Sequence, residues 1–452
     1  MLLVAFIVAL AFIIISVVKF KLHPFISLLL GGIIMGALGG MDLTETMSTI
    51  CGGFGSTMGD IGILILLGVA LGELLHNSGA TKNIANQLLS WLGVKNTPLA
   101  MNIAGYLICI PVFMDAAFVI LIDLLKQLSK EGKIVLNTLV CALIVGLLTT
   151  HAIVIPTPGP LAVASALGAN IAWFIFYSLI ISLPASLIGG VVYGKWLGKK
   201  YPAWGCVTPN ETLPDGPDAV ANLKEDRPTA GGSLGIFLIL LPIILIIAGT
   251  IAKMQISEDS AIYTAICFVS DTNVIMLVVV FVAFFALRKY LVDSFDTIVS
   301  NAAESVGSII AIICAGGAFG SVISASGLGD FLVSTLQSFG VPVILLAYLL
   351  ALILHMGLGS ITVALVTTSA VVAPLIASAG LSPVLVGLAI CAGGMGMGMP
   401  NDSSFWTVNK FSGLNVAETF RALTIPVTIA SLVAFGVVLL LSLGQGFLPG
   451  LY

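Results

Sequence analysis

Charge is what this chain has least of. Only 8% of its 452 residues are charged while 59% are hydrophobic, and the mean hydropathy is +1.17. A water-soluble fold lacks the means to keep such a surface dispersed, so the composition excludes one and points to a polytopic membrane protein. Histidine is scarce as well, with four residues at 23, 76, 151 and 355. None begins an H-E-x-x-H motif, so that class of zinc hydrolase lacks its ligands and an enzyme is not expected. Seven cysteines (51, 109, 141, 206, 267, 314 and 391) show no C-x-x-C spacing and mostly lie in apolar runs, where cysteine acts as a small hydrophobe. Neither a disulfide frame nor a metal cluster is expected, and no cofactor or nucleic-acid partner.

Long apolar blocks are what the chain has in abundance. A helix needs about 20 apolar residues to cross the hydrocarbon of a bilayer. Candidate blocks lie near 2–18, 25–40, 60–75, 98–126, 134–150, 161–193, 234–251, 261–287, 304–321, 341–379, 382–398 and 423–444. They leave little chain for a soluble domain. The first block has no positive leading region and no small-residue cleavage site, so a retained span is expected rather than a signal peptide. Asp60 opens the block 60–75 and is expected to cap it.

The two halves resemble each other in order. LGELLHNSGA (71–80) aligns with FGSVISASGL (319–328), pairing Gly72 with Gly320 and Gly79 with Gly327, 248 residues apart. Farther on, Gly93 pairs with Gly340 at 247, and ALGAN (166–170) with FSGLN (411–415) at 245. Two corresponding blocks are irregular. Block 98–126 carries Pro111 and Asp115 in its middle, and block 341–379 is too long for one span and is cut by HMGLGS (355–360). If both are re-entrant hairpins, each half crosses five times, and an odd number turns the second half upside down.

Lysine and arginine collect on the cytoplasmic side, which tests that topology. With non-crossing hairpins, 16 of the 17 basic residues fall on one face and only Lys253 on the other; letting the hairpins cross splits them 7 to 10. The expectation is therefore an all-α membrane protein of two inverted-topology repeats, 1–194 and 234–452, joined by a cytoplasmic linker at 195–233, with both termini outside. Each repeat holds a hairpin (about 98–126 and 341–379) and a broken helix (about 134–168 and 382–412). Inverted repeats with interrupted helices are the mark of secondary transporters, whose site lies where the interruptions meet.

The decapeptide HAIVIPTPGP (151–160) is one interruption, and the offset of 245 makes GMPNDSSFW (398–406) its twin, with Thr157 falling on Asp402. Proline removes an amide donor and disrupts the preceding helical turn. Unwound backbone is tolerated at membrane depth only where it lines a cavity or lies within protein. The ensuing half-helix amino termini suit a carboxylate. The candidate substrate contacts are Met114 and Asp115 of the tip MDAA, with Gly357, Gly359, Ser360 and Thr362 of the tip GLGSIT. His151, Thr157, Pro158 and Gly159 join them from the first break, His355 from beside the second tip, and Asn401, Asp402, Ser403 and Ser404 from the second break. Asp115, Asp402 and His151 are the candidates for handling a coupling ion, because an intramembrane ionisable group is costly unless it serves a purpose.

THAIVIPTPGPLAVASALGANI, GLGSITVALVTTSAVVAPLIASAG and MPNDSSFW resemble the signature stretches of the gluconate permease family of bacterial symporters, with similarity from about residue 50 to 440. That resemblance implies a carrier of gluconate or a related hydroxy acid, proton coupling, an elevator-type motion, a homodimer, and residence in the bacterial inner membrane. His355 stands where an arginine is common in the family, and Met399 where a histidine is. Rival readings are a sodium-coupled carboxylate or D-amino-acid symporter and a cation/proton antiporter.

Overall fold

The computed structural model describes residues 2–202, 228–255, 261–327, 342–400 and 402–451, and among these the regular structure is entirely helical. Two apolar helices, α1 (Leu2–Val18) and α2 (Pro24–Gly39), lead into a long one, α3 (Leu43–Asn77). Next come α4 (Ala80–Leu92), α5 (Thr97–Ile108), α6 (Met114–Gly132), α7 (Leu136–Ile153) and α8 (Pro158–Ala166). A rod then runs through α9 (Ile171–Ser186), a π turn at Leu187–Val192 and α10 (Tyr193–Lys200). The second half opens with α11 (Gly232–Gln255), α12 (Ala261–Val269), α13 (Thr272–Leu287) and the long α14 (Phe295–Ala325). It closes with α15 (Val343–Leu358), α16 (Ile361–Ala379), α17 (Pro383–Met395), α18 (Ser403–Ser412), the short α19 (Val416–Thr419), a π turn at Phe420–Thr424 and α20 (Ile425–Ser442).

Six stretches among the described residues are long and apolar enough to cross a membrane: Leu43–Asn77, Leu136–Ala166, Ile171–Lys200, Gly232–Lys253, Phe295–Ala325 and Val416–Ser442. A seventh is the pair Tyr263–Val269 and Thr272–Leu287, bent by 55° where one unbroken block was expected. Asp271 explains the bend: its carboxylate accepts from the amides of Asn273 and Val274 and starts a new helix. Of the stretch 195–233 expected as a linker, residues up to Lys200 are helical and 203–227 lie outside the described residues.

One expectation is overturned. Asp60 sits in the middle of α3, and the cap is Asp42, whose carboxylate accepts from Thr44 at 2.8 Å and Glu45 at 3.1 Å. Glycine disfavours a helix by about 1 kcal/mol per residue, so the glycine-rich run CGGFGSTMGD reads as a breaker. Packing against α14 overrides that preference. A Cβ on Gly53 would meet Ser321 Oγ at 2.4 Å and the Ala318 backbone at 3.0 Å, so the two long helices touch where a side chain would hold them apart.

The same device seats each helix pair on its neighbour. α5 lies on α7 through Gly146, whose added Cβ would fall 2.3 Å from the Asn102 carbonyl oxygen. α15 lies on α17 through Gly393, where the Tyr348 carbonyl oxygen would be 2.1 Å away. The elements also cross between halves, α6 against α18 and α16 against α8. In Leu136–Ala166, 94% of the most apolar window is buried, against 33% in Gly232–Lys253. The interrupted segment is therefore enclosed by protein, which satisfies the condition for irregular backbone at membrane depth.

Candidate functional site

The first interruption spans Val154 to Thr157, between α7 and α8, and its Ile155–Pro156 peptide is cis. Pro156 and Pro158 carry no amide hydrogen, so helical bonding lapses there. Thr157 occupies the N-cap of α8 in extended backbone, and its hydroxyl donates backwards to the carbonyl oxygens of Val154 and, at 3.5 Å, Thr150. The Thr150 hydroxyl donates to the Tyr106 carbonyl oxygen at 2.8 Å, tying the break to α5. His151, in the last turn of α7, has its Nδ1 buried without a partner.

The second interruption, 396–402, is held by its surroundings. Met397 takes the left-handed region at φ 57° and donates its amide to Thr428 Oγ1 at 3.1 Å. Gly398 accepts from the Thr424 hydroxyl at 2.5 Å, and Pro400 accepts from the Trp406 indole at 2.6 Å. Asp402 is the N-cap of α18, accepting from the Ser404 amide at 2.8 Å. Its other oxygen, Oδ2, lies 3.0 Å from Nε2 of His355, while the His355 Nδ1 lies 2.7 Å from the Gly396 carbonyl oxygen. Both side chains are buried, His355 at 1% exposure and Asp402 at 5%. Among the described residues this is the one ion pair.

The tips are short turns. Residues 109–113 join α5 to α6, and the Pro111 carbonyl oxygen sits only 2.1 Å from where a Cβ on Gly72 would be. Asp115, in the first turn of α6, is exposed and accepts from the Thr407 hydroxyl of α18 at 2.8 Å. At the second tip Gly359, at φ 66°, returns its amide to His355, and Ser360 caps α16 by accepting from Val363 at 3.5 Å.

Chemically, the four segments meet. The first tip lies on the first break, where Cys109 to Phe113 face His151 and Pro156 to Pro158 across a gap of about 10 Å³. It reaches the second break through Asp115 and Thr407. The second tip reaches the first break at Gly159, whose added Cβ would lie 3.8 Å from Thr362 Oγ1, and the second break through His355. His151 is in electrostatic range of Asp115, Asp402 and His355. Met114 and Pro158 are buried at the starts of their helices, and Ser404 Oγ is buried without a partner. Gly357 lies in the last turn of α15 and Ser403 opens α18; Asn401 lies outside the described residues.

Thr407 and the Gly396 carbonyl belong to this cluster and were not among the sequence candidates. Thr407 reads as an ordinary helical threonine, and its only signal is its place one turn beyond Ser403. A larger cavity of about 610 Å³ adjoins the cluster on the far side of α8, lined by hydroxyls of Ser56, Thr57, Ser165, Ser321 and Ser369 and by Asp60. None of the sequence candidates lines it. Among the described residues no group of three His, Cys, Asp or Glu side chains is placed to hold a metal.

Known proteins are similar to this chain in fold and in sequence. A YdaH transporter from Alcanivorax borkumensis superposes with a TM-score of 0.65 over 95% of this chain and all of that one, at 17% identity. MtrF of Neisseria gonorrhoeae, described as representing a class of antimetabolite efflux pumps, gives 0.64 over 95% and 97% at 13% identity. In sequence, the D-serine transporter DsdX of Escherichia coli K12 is 35% identical, covering 96% of this chain and 97% of its own. A gluconate permease of Bacillus subtilis is 33% identical over 94% and 95%. The model of the GntP family permease matches residues 1–444. The chain thus belongs to the GntP permease family, whose members are transporters rather than enzymes.

Proposed function

We propose that this permease is a proton-coupled symporter of a small hydroxy-carboxylate such as gluconate or a related sugar acid. The observation that carries the reading is the meeting of both hairpin tips with both interrupted helices, through Asp115 with Thr407, Thr362 with Gly159, and His355 with Asp402. Such a cluster offers a carboxylate the Gly159 amide and the positive amino-terminal end of α18, and offers hydroxyl groups Thr157, Ser360, Thr362 and Ser404. The substrate's negative charge is then partly offset by a proton taken up nearby, at Asp115, Asp402 or His151. Only the fully loaded or fully empty cluster moves cheaply through a low-dielectric barrier.

The reading includes two inverted repeats, which the spacing of matching residues supports. The glycine seats Gly146 and Gly393 lie 247 residues apart, and the break caps Thr157 and Asp402, like the helix caps Asn170 and Asn415, lie 245 apart. At about 1.5 Å per residue, α5 spans roughly 18 Å, too short for a hydrocarbon layer of about 30 Å and suited to a re-entrant arm. The domain scheme is two five-crossing repeats, with the hairpins and broken helices moving as an elevator against α3 and α14. The termini are outside, the membrane is the bacterial inner membrane, and the assembly is a homodimer.

D-serine, which also joins a hydroxyl to a carboxylate, is the second substrate reading, favoured by the likeness to DsdX. Sodium coupling is disfavoured at Asp402, because both its oxygens already have partners in His355 and the Ser404 amide. Uptake of labelled gluconate and D-serine into proteoliposomes, under an imposed proton or sodium gradient, tests the proposal. Accumulation driven by protons is expected, and accumulation driven by sodium alone would sink it.

A further inference from the structure

The contact between His355 and Asp402 fixes a proton count. The Nδ1 of His355 lies 2.7 Å from the Gly396 carbonyl oxygen, and a carbonyl only accepts, so Nδ1 carries a hydrogen. On the opposite edge of the ring, Nε2 lies 3.0 Å from Oδ2 of Asp402. A bare ring nitrogen against a bare carboxylate oxygen would set two lone pairs face to face. One proton therefore stands between them, and the pair is imidazolium with carboxylate or imidazole with carboxylic acid. Either form is neutral overall and holds one proton more than a neutral histidine beside an ionised aspartate. Burial gives neither group water to replace the other.

We propose that this pair holds the carrier's coupling proton, and that the proton is the latch fastening the second hairpin to the second interruption. The proposal rests on the symport reading above and names where its proton resides. On loading, a proton from the side of higher proton activity binds the lone pair of Nε2 or Oδ2, and the shared N–H···O bond forms. On release the bond to that proton breaks and the proton leaves to the other side. Two acceptors carrying one net negative charge are left, the 3.0 Å contact is lost, and the end of α15 parts from the loop preceding α18.

Among the described residues His151, from α7, is the other titratable group that reaches the pair, and Asp115, from α6, reaches His151. Lys410 is in the last turn of α18, away from its capped end, and Glu418 and Arg421 lie beyond it in α19 and the second π turn. Asp115 already accepts from Thr407, and His151 has an unpartnered Nδ1. Among the described residues, His355 and Asp402 alone make a bond whose existence depends on one added proton.

Nitrogen NMR of histidine-labelled protein tests this directly, since there are only four histidines and His355→Gln assigns the signal. At neutral pH the wild type is expected to show both nitrogens of His355 protonated or sharing a proton, with Nε2 becoming bare in Asp402→Asn. A bare Nε2 in the wild type would overturn the proposal, and that measurement needs no variant to be active. In proteoliposomes fed labelled gluconate, or D-serine if the wild type accumulates that instead, whatever uptake remains in His355→Gln is expected to carry no protons. Residual uptake with the wild-type ratio of proton to substrate flux would also overturn it. A wild type that accumulates neither compound under a proton gradient would refute the symport reading, while the nitrogen signal still decides where the proton sits.

Discussion

The two interrupted helices solve one problem in different ways. In the first, the loop closes on itself: the Thr157 hydroxyl satisfies carbonyls of its own chain, and the His151 Nδ1 is buried without a hydrogen-bond partner. In the second, backbone groups of Met397, Gly398 and Pro400 are met by the side chains of Thr428, Thr424 and Trp406, and the capping carboxylate is met by a histidine from the facing hairpin. The first is a rigid kink beside an open donor or acceptor. The second is a junction whose integrity depends on a charge-assisted contact between two elements. On the reading proposed above, the first break shapes a binding surface and the second holds the coupling proton.

The sharpest way to break that contrast is to remove its two histidines. His355→Ala leaves Asp402 buried without its partner and is expected to cost about 3–5 kcal/mol of stability. His151→Ala deletes a ring whose Nδ1 makes no hydrogen bond and should cost far less, about 1 kcal/mol or below. Thermal unfolding of the purified variants in detergent measures both, and equal losses would erase the distinction. Gly146→Ala and Gly393→Ala probe what the halves share. Each new methyl would overlap a backbone carbonyl, so both are expected to lose about 1–3 kcal/mol, and to do so alike.

Smaller effects sharpen the comparison further. Thr157→Val removes one intramolecular hydroxyl bond and should cost about 1 kcal/mol, with Asp402→Asn the larger of the two. The long helices differ in their caps as well. α3 is capped by Asp42, whose pKa is lowered by the amides of Glu45 and Thr44, whereas α14 is capped by the neutral Ser294. A carboxylate with a depressed folded pKa stabilises above its unfolded pKa, and that contribution is lost as pH falls through the folded value. Amide exchange in the first turn of α3 should therefore quicken in acid relative to the first turn of α14. Parallel behaviour of the two would exclude a role for the charge.

Much of the site was legible because it rests on local chemistry. Prolines at 156, 158 and 400 locate the breaks, and Asp402 and Ser360, expected as substrate contacts, also serve as helix caps. Asp60 was misread for the complementary reason. Nothing local makes CGGFGSTMGD helical; only α14, brought alongside from more than two hundred residues away, holds it so. The partners of the acidic groups were equally out of reach. Thr407 lies 292 residues from Asp115, and His355 lies 47 from Asp402 across a chain reversal.

By itself the sequence determined that this chain lives in a membrane, where its helices fail, and which few polar side chains stand at the failures. Those outcomes follow from transfer free energy and from the missing amide of proline, properties each residue carries wherever it goes. The tertiary structure alone decided which polar groups are joined. A buried imidazole or carboxylate must find some partner, but only the approach of one helix to another, set by glycine contacts along their lengths, selects which one.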